Sequence, residues 1–193
     1  MYIITITIYI FCLQIIDKVL RLNKIGVCLK NVTIMQNRKK AEQEALQLLS
    51  KLGYLEPPVN IMEVARVIGL SLAEAEFSAA NNHISGLLDY RNNKIIVNKE
   101  EPGNRQNFTI AHEIGHFVLH KDWITSNDYQ PMFRQKESFN KKNEKEVEAD
   151  IFAAHLLVPK YMLDKYYGKA VISELSVLFC VSELVIQNRI NDL

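Results

Sequence analysis

The segment FTIAHEIGHFVLH, residues 108–120, places ionisable side chains in a run that is otherwise apolar. Its isoleucines and phenylalanines recur at the spacing of a helix that packs into a core. His112, Glu113 and His116 lie in the same helix. Each of these groups costs free energy in a core unless a partner compensates its burial. The fold of this chain must therefore bring partners to this helix.

The spacing of the two histidines predicts a metal site. Residues four apart lie on one face of a helix, so His112 and His116 can bind a single ion. A tetrahedral zinc ion takes imidazole ligands at about 2.0–2.1 Å, which this spacing allows. Glu113 lies beside that face, where it can accept a proton from an attacking water molecule and pass it to a leaving amine. The alternative is a pair of core histidines whose hydrogen bonds are satisfied without a metal.

Two histidines leave a catalytic zinc ion one protein ligand short. In the segment EVEAD, Glu146 and Asp150 are four residues apart, so one can bind the ion while the other orients a ligand histidine. We predict Glu146 as the ligand. Glu148 is the competing choice, although it points about 200° around the helix from Glu146. His120 lies about 12 Å along the helix from His112, so we expect it to cap or line the helix end.

Length and composition limit the class of protein. A chain of 193 residues with 48% apolar residues can form one ordinary domain and an extension. The net charge of +1 gives no strong attraction to nucleic acid or to acidic membranes. The three cysteines are far apart and form no CxxC pair. This pattern argues against disulfides and a cysteine zinc site, and it fits the reducing cytoplasm.

The first 34 residues differ from the rest. Residues 1–16, MYIITITIYIFCLQII, are apolar but fall just short of the ~17–25 residues that span a bilayer. They lack the basic region and cleavage site of a signal peptide. One interpretation is that translation starts at Met35, where a helical pattern begins. The other is a membrane anchor that leaves the main domain in the cytoplasm, because lysines and arginines follow it.

The remaining pattern predicts an α+β fold with a main domain at residues 35–160 and C-terminal helices at 161–193. A small antiparallel sheet precedes the central helix, and a helical part follows it. The predicted helices cover 38–52, 60–69, 107–120 and 143–158, with two more short helices after them. The predicted extended segments cover 70–77, 86–90 and 94–98, the last two as a hairpin. Residues 121–145 are predicted as a loop.

Two further expectations concern binding and catalysis. The strand at residues 94–98 could pair with an extended substrate. Tyr161 is a candidate donor to the oxyanion that forms during hydrolysis.

Residues 172–190 predict two helices joined by a short turn, the pattern of a DNA-reading helix-turn-helix. The net charge from Val171 to Leu193 is −2, whereas phosphate binding favours positive charge. Cys180 also replaces the usual turn glycine. We therefore expect these helices to pack on the domain or contact a protein partner, and we expect no direct binding of nucleic acid.

The segments FTIAHEIGHFVLH and EVEADIFAAHLLVP together resemble the ImmA/IrrE zinc metallopeptidases, and the likeness covers residues 36–190. The resemblance implies a catalytic zinc ion (Zn2+) and cleavage of a helix-turn-helix repressor that silences stress-response or mobile-element genes. It also implies that residues 35–160 form a zincin-like metallopeptidase domain with the gluzincin arrangement, in which Glu146 is a ligand and Asp150 supports His112. The 34-residue leader and the long 121–145 segment depart from the family pattern.

The sequence thus predicts a regulatory zinc endopeptidase with Glu113 as the catalytic base and His112, His116 and Glu146 as ligands. The alternative is a catalytically silent metal-binding regulator or an interaction module, which in one version associates with DNA.

Overall fold

The structure is a computed structural model of the chain, and it describes residues 33–78, 81, 83–126, 134–135 and 143–193. The chain divides into two compact units, residues 1–39 and 40–193. In the first unit, the described residues 33–39 are helical. The predicted membrane segment at residues 1–16 lies outside the described residues. Within those described ranges, no helix has the length and apolarity that crossing a bilayer requires. The predicted domain boundaries at residues 34 and 160 stay predictions.

The described residues alternate helices with short strands and confirm the predicted α+β class. In chain order the elements are α1 (33–52), α2 (Ile61–Val67), β1 (Ser71–Ala75), β2 (Ile84–Asp89), β3 (Lys94–Asn98), α3 (Gly103–Leu119), α4 (Lys121–Ile124), β4 (Arg134–Gln135), α5 (Glu144–Leu157), α6 (Lys160–Tyr166), α7 (Ile172–Leu178) and α8 (Glu183–Asn191).

Local signals for helix ends are confirmed. The Asn60 side chain accepts a hydrogen bond of 3.2 Å from the backbone N–H of Glu63, as an N-cap residue does. Gly53 and Gly69 follow the first two helices with φ of 72° and 88°, a left-handed conformation that glycine adopts without steric cost. Asn143 caps α5 in the same way as Asn60 caps α2.

The sheet has the strand order β1-β3-β2-β4. The predicted hairpin of β2 and β3 is confirmed, with Leu87 opposite Ile96 in antiparallel register. Asn93 turns the chain between them with φ of 47°. The predicted antiparallel pairing holds for β2 with β3, whereas β1 pairs with β3 in parallel, which the prediction of a small antiparallel sheet did not include. The sheet is mixed because the hairpin places β3 between β2 and β1, antiparallel to β2 and parallel to β1.

The position of β3 also overturns the expectation that it pairs with substrate. Both of its edges already carry a neighbouring strand, β1 on one side and β2 on the other. A strand can add a peptide only at an edge with unpaired backbone groups. Along the outer edge of β2, Arg134 and Gln135 of β4 pair at Gly86 and Ile84.

Helix α3 lies between the sheet and α5, and glycines permit both contacts. A Cβ atom on Gly86 of β2 would lie 2.7 Å from Cγ2 of Thr109 and 2.8 Å from the carbonyl oxygen of Ile96. A Cβ atom on Gly115 of α3 would lie 3.2 Å from Cα and from the carbonyl oxygen of Ala149 on α5. The backbones therefore approach so closely that a larger residue at either position would force them apart.

Two predictions about the polar and C-terminal segments need correction. Residues 121–145 are not a plain loop, since α4, β4 and the start of α5 lie within them. Three helices, not two, follow α5, because α6 begins directly after Pro159. The turn at Cys180, with φ of 54°, joins α7 to α8 as predicted. Residues of this turn and both helices belong to the buried core: Leu175, Phe179, Val181 and Ile186.

A buried arginine ties α8 to α5. Nε of Arg189 donates a 3.0 Å hydrogen bond to the carbonyl oxygen of Val158, and an amino group of Arg189 lies 3.2 Å from Nε2 of His155. Burial, and then the positive charge of Arg189, lower the pKa of His155 to about 4. His155 therefore stays neutral in the folded protein at neutral pH and accepts this hydrogen bond.

We expect Gly115→Val to lower the free energy of unfolding by about 1–3 kcal/mol, because the new side chain would press against the backbone of α5. Gly103→Val is the matched control in the same helix, since nothing lies within 4 Å of a Cβ atom there. Urea unfolding of the metal-free proteins measures both changes. Equal stability of the two variants would contradict the close approach.

We expect His155→Gln to flatten the decline in stability between pH 6.5 and pH 4. The pKa of His155 is lower in the folded chain than its ordinary value of 6.5. Its contribution is therefore fully present above pH 6.5 and is lost as the pH falls toward 4. Urea unfolding of the metal-free protein across this range measures the slope, with the exposed His83→Gln as control. A slope equal to that of the wild-type protein would contradict this assignment.

Candidate metal centre

The second half of α3 and the residue that follows the helix bury four ionisable side chains. His112 and Glu113 are each 2% exposed, and His116 and His120 are also buried. Their apolar neighbours Ile110, Ala111 and Ile114 lie in the hydrophobic core. Such groups need partners when they leave water. For the histidines, the partners that the structure describes come from α5 and from the neighbouring histidines on α3 itself.

Three side chains converge at one point between α3 and α5. Nε2 of His112 lies 3.1 Å from Nε2 of His116. The carboxylate of Glu146 spans both rings, with Oε2 at 3.2 Å from Nε2 of His112 and Oε1 at 3.0 Å from Nε2 of His116. The structure therefore brings together the three residues that the sequence analysis proposed as ligands. Their donor atoms all lie within 4.8 Å of one another.

This donor set fits a zinc ion. Two ligand atoms at about 2.0–2.1 Å from a tetrahedral ion are about 3.3 Å apart, close to the separations here. Oε1 of Glu146 is buried and, within the part of the chain that the structure describes, makes no hydrogen bond of normal geometry despite its approach to His116. Nitrogen and oxygen atoms that converge at these distances are suited to a common cation.

The charges of this cluster favour metal binding at neutral pH. Burial alone would raise the pKa of Glu146, but the two neighbouring histidines outweigh it and hold the pKa far below its usual range. Burial also lowers the pKa of His116, and the adjacent His112 adds to this effect while Glu146 opposes it. An ionised carboxylate beside a neutral imidazole is the protonation state in which both groups bind a metal.

Asp150 holds the other side of His112. Its Oδ1 lies 2.9 Å from Nδ1 of His112. A proton on Nδ1 leaves the lone pair of Nε2 pointing at His116 and Glu146, so this contact orients the proposed ligand His112, as carboxylates hydrogen-bonded to metal-binding histidines do. The contact agrees with the arrangement that the family resemblance implied, while the roles of the site residues stay predictions.

His120 and Glu148 form a contact that the sequence analysis did not anticipate. Nδ1 of His120 lies 3.0 Å from Nδ1 of His116, and its Nε2 lies 2.9 Å from Oε2 of Glu148. Burial is the main cause of the lowered pKa of His120. The available signal was the spacing, because His120 follows His116 by four residues, as His116 follows His112.

The two other candidates have different surroundings. Glu113 is buried in α3, directly after His112. Tyr161 donates its hydroxyl to the backbone carbonyl of Tyr54 at 2.7 Å and is 37% exposed. That hydroxyl is therefore engaged in holding α6 to the segment after α1, which argues against its role as an oxyanion donor.

Comparison with known proteins agrees with this geometry. The sequence model of the Peptidase M78 family, described as the IrrE N-terminal-like domain, matches residues 65–191, well over half of the chain. A protein named uncharacterized immunity region protein 2, from Bacillus phage phi105, is 32% identical over 78 residues, which are 40% of this chain and 46% of the phage protein.

A solved structure, titled Mycobacterium tuberculosis transcriptional regulator, aligns with a TM-score of 0.52 and 16% identity. The alignment covers 78% of this chain and 46% of that protein. At this identity the likeness concerns the fold alone. The matched regions span about half the length of each of these two proteins.

We expect saturating zinc to stabilise the metal-stripped chain, by about 2.7 kcal/mol when free zinc is 100 times its dissociation constant. Glu146→Ala should abolish this gain, because it removes the carboxylate that spans both histidines. The exposed Glu144→Ala, in the first turn of the same helix, is the control. Urea unfolding with and without zinc measures the difference, and a full gain in the Glu146 variant would contradict the site.

Proposed function

The chain belongs to the Peptidase M78 family, as the resemblance of its two motifs predicted, and on this premise we propose that it is a zinc-dependent endopeptidase. The observation that carries the proposal is the convergence of His112, His116 and Glu146, with Glu113 next to the first ligand. A metal site that served only to hold the fold would be filled by four protein ligands, whereas three ligands leave a position for a reactant.

The proposed ligands are His112, His116 and Glu146, which together carry a single negative charge when both histidines are neutral. When bound, zinc would polarise the scissile carbonyl group and lower the pKa of the attacking water. Asp150 accepts the Nδ1 proton of His112 and keeps Nε2 of that ring available as a ligand atom.

Glu113 is the proposed general base. It accepts a proton from the attacking water as the oxygen adds to the carbonyl carbon, and it then donates this proton to the amine nitrogen as the C–N bond breaks.

We propose a helix-turn-helix repressor of a mobile element or a stress response as the protein substrate. Two observations support a regulatory substrate: the family resemblance of the two motifs and the immunity-region name of the phage relative. The C-terminal segment 171–193, which contains α7 and α8, carries a net charge of −2, and this supports contact with protein rather than with DNA.

The test combines the full chain, loaded with zinc, with a candidate helix-turn-helix regulator taken from a neighbouring gene. The wild-type protein should cut this regulator at a defined bond, detected by gel electrophoresis and mass spectrometry. Glu113→Gln should slow cleavage by about 10²–10⁴-fold, because an amide cannot accept the proton.

The Glu113 variant should retain its zinc, since Glu113 is not among the proposed ligands. Glu100→Gln makes the same chemical change at an exposed position and should cleave at the wild-type rate. Normal cleavage by Glu113→Gln would exclude the general-base role. Zinc binding without cleavage by the wild-type chain would favour the alternative, a catalytically silent metal-binding regulator.

A further inference from the structure

His116 presents its two ring nitrogens to two different clusters. Nε2 faces His112 and Glu146, the proposed zinc ligands. Nδ1 faces away from them and lies 3.0 Å from Nδ1 of His120. Nε2 of His120 in turn lies 2.9 Å from Oε2 of Glu148. A continuous line of polar contacts therefore runs from the ligand His116 to a carboxylate on α5.

The chemistry of neutral imidazole fixes the direction of these hydrogen bonds once a metal is present. A neutral ring carries one proton, so a lone pair of Nε2 on the metal places the proton of His116 on Nδ1. That proton is donated to Nδ1 of His120, which must then carry its own proton on Nε2. The Nε2 proton of His120 is donated to the carboxylate of Glu148, which accepts hydrogen bonds but donates none.

We propose that His120 and Glu148 are positioning residues that hold His116 in the ring orientation and tautomer that binds zinc. This inference rests on the proposed function of the site. His112 receives the same support from Asp150 in a single step, with 2.9 Å between Nδ1 and Oδ1. Helix α5 thus supplies the carboxylate ligand Glu146 and both supporting carboxylates, at alternate positions along the chain.

His120 and Glu148 are largely shielded from water, and a hydrogen bond between shielded groups is stronger than one in water. The side chain of His120 is 5% exposed and that of Glu148 is 15% exposed. The indole of Trp123 packs near both histidines, with ring centroids 6.0 Å from His116 and 6.2 Å from His120. This packing restricts the rings and keeps water from competing for their nitrogens.

A purely structural function for His120 is the competing explanation, and zinc affinity separates the two. Phenylalanine fills the space of the imidazole beside Trp123 but forms no hydrogen bonds. Asparagine fills the space poorly, yet its side-chain oxygen lies near the position of Nδ1 and can accept the proton of His116. If His120 only packs, His120→Phe should lower zinc affinity less than His120→Asn does. If His120 supports His116 through a hydrogen bond, His120→Asn should lower zinc affinity less.

The experiment measures the zinc dissociation constant of the full chain by competition with a chromophoric chelator. We expect His120→Phe to weaken zinc binding by about 10–100-fold. His120→Asn and Glu148→Gln should weaken it less, because each retains one acceptor of the line. His155→Phe changes a partly buried histidine of α5 that contacts Glu42 and Arg189, and it should leave zinc affinity unchanged.

Wild-type zinc affinity in a folded His120→Phe variant would overturn the proposal, as would tighter binding by His120→Phe than by His120→Asn. Circular dichroism shows whether His120→Phe folds. If it does not, the zinc affinities of Glu148→Gln and His120→Asn test the proposal. Affinities within about twofold of the wild-type value in both variants would overturn the proposal. Failure of the wild-type chain to bind zinc would instead refute the proposed function. Loss of zinc in Glu146→Ala with full affinity in His120→Phe would refute this inference alone.

Discussion

The close packing of α3 against α5 is the contact on which the rest of the structure depends. It brings the two histidines on one helix to the acidic side chains on the other, and neither helix alone holds all three proposed ligands. Gly115 and Ala149 make this possible, because they place almost no side-chain volume between the two backbones. The helix pair thus forms part of the hydrophobic core and the candidate metal centre at once.

This arrangement answers the energetic problem that the sequence poses. Burial of ionisable groups in an apolar helix is unfavourable unless each finds a partner of suitable charge or hydrogen-bonding capacity. Here the carboxylate of Glu146 lies against His112 and His116, Asp150 lies against His112, and Glu148 lies against His120. A metal ion at the centre would add positive charge where a carboxylate and two nitrogen lone pairs converge. The acidic residues of α5 therefore stabilise the fold and prepare the site together.

Much of the site follows from local geometry that a sequence reveals. The four-residue spacing of His112 and His116 fixes a common helix face, and the same spacing links Glu146 to Asp150. The contact between His120 and Glu148 was not predictable in this way. An ideal helix places Glu148 about 200° from Glu146, and whether its side chain reaches a neighbour depends on how the two helices cross. That crossing is a property of the tertiary structure.

The sheet shows the same limit. The strand positions and the hairpin turn at Asn93 follow from alternation and turn residues, but strand order depends on pairing between distant segments. The parallel pairing of β1 with β3 makes β3 an interior strand, which no local pattern in residues 94–98 encodes. The sequence analysis did not predict helix α6, because the same residue, Pro159, stops α5 and caps the start of the next helix. A proline signals the end of one helix and the first turn of the next equally well.

The most direct test of the central claim is the zinc content of the purified full chain after dialysis, measured by elemental mass spectrometry. The account predicts one tightly held zinc ion per chain, its loss in His116→Ala, and its retention in His155→Ala, which removes a histidine outside the ligand cluster. A folded wild-type chain without zinc, or a His116→Ala variant that keeps a full equivalent, would contradict the metal centre and the peptidase function built on it.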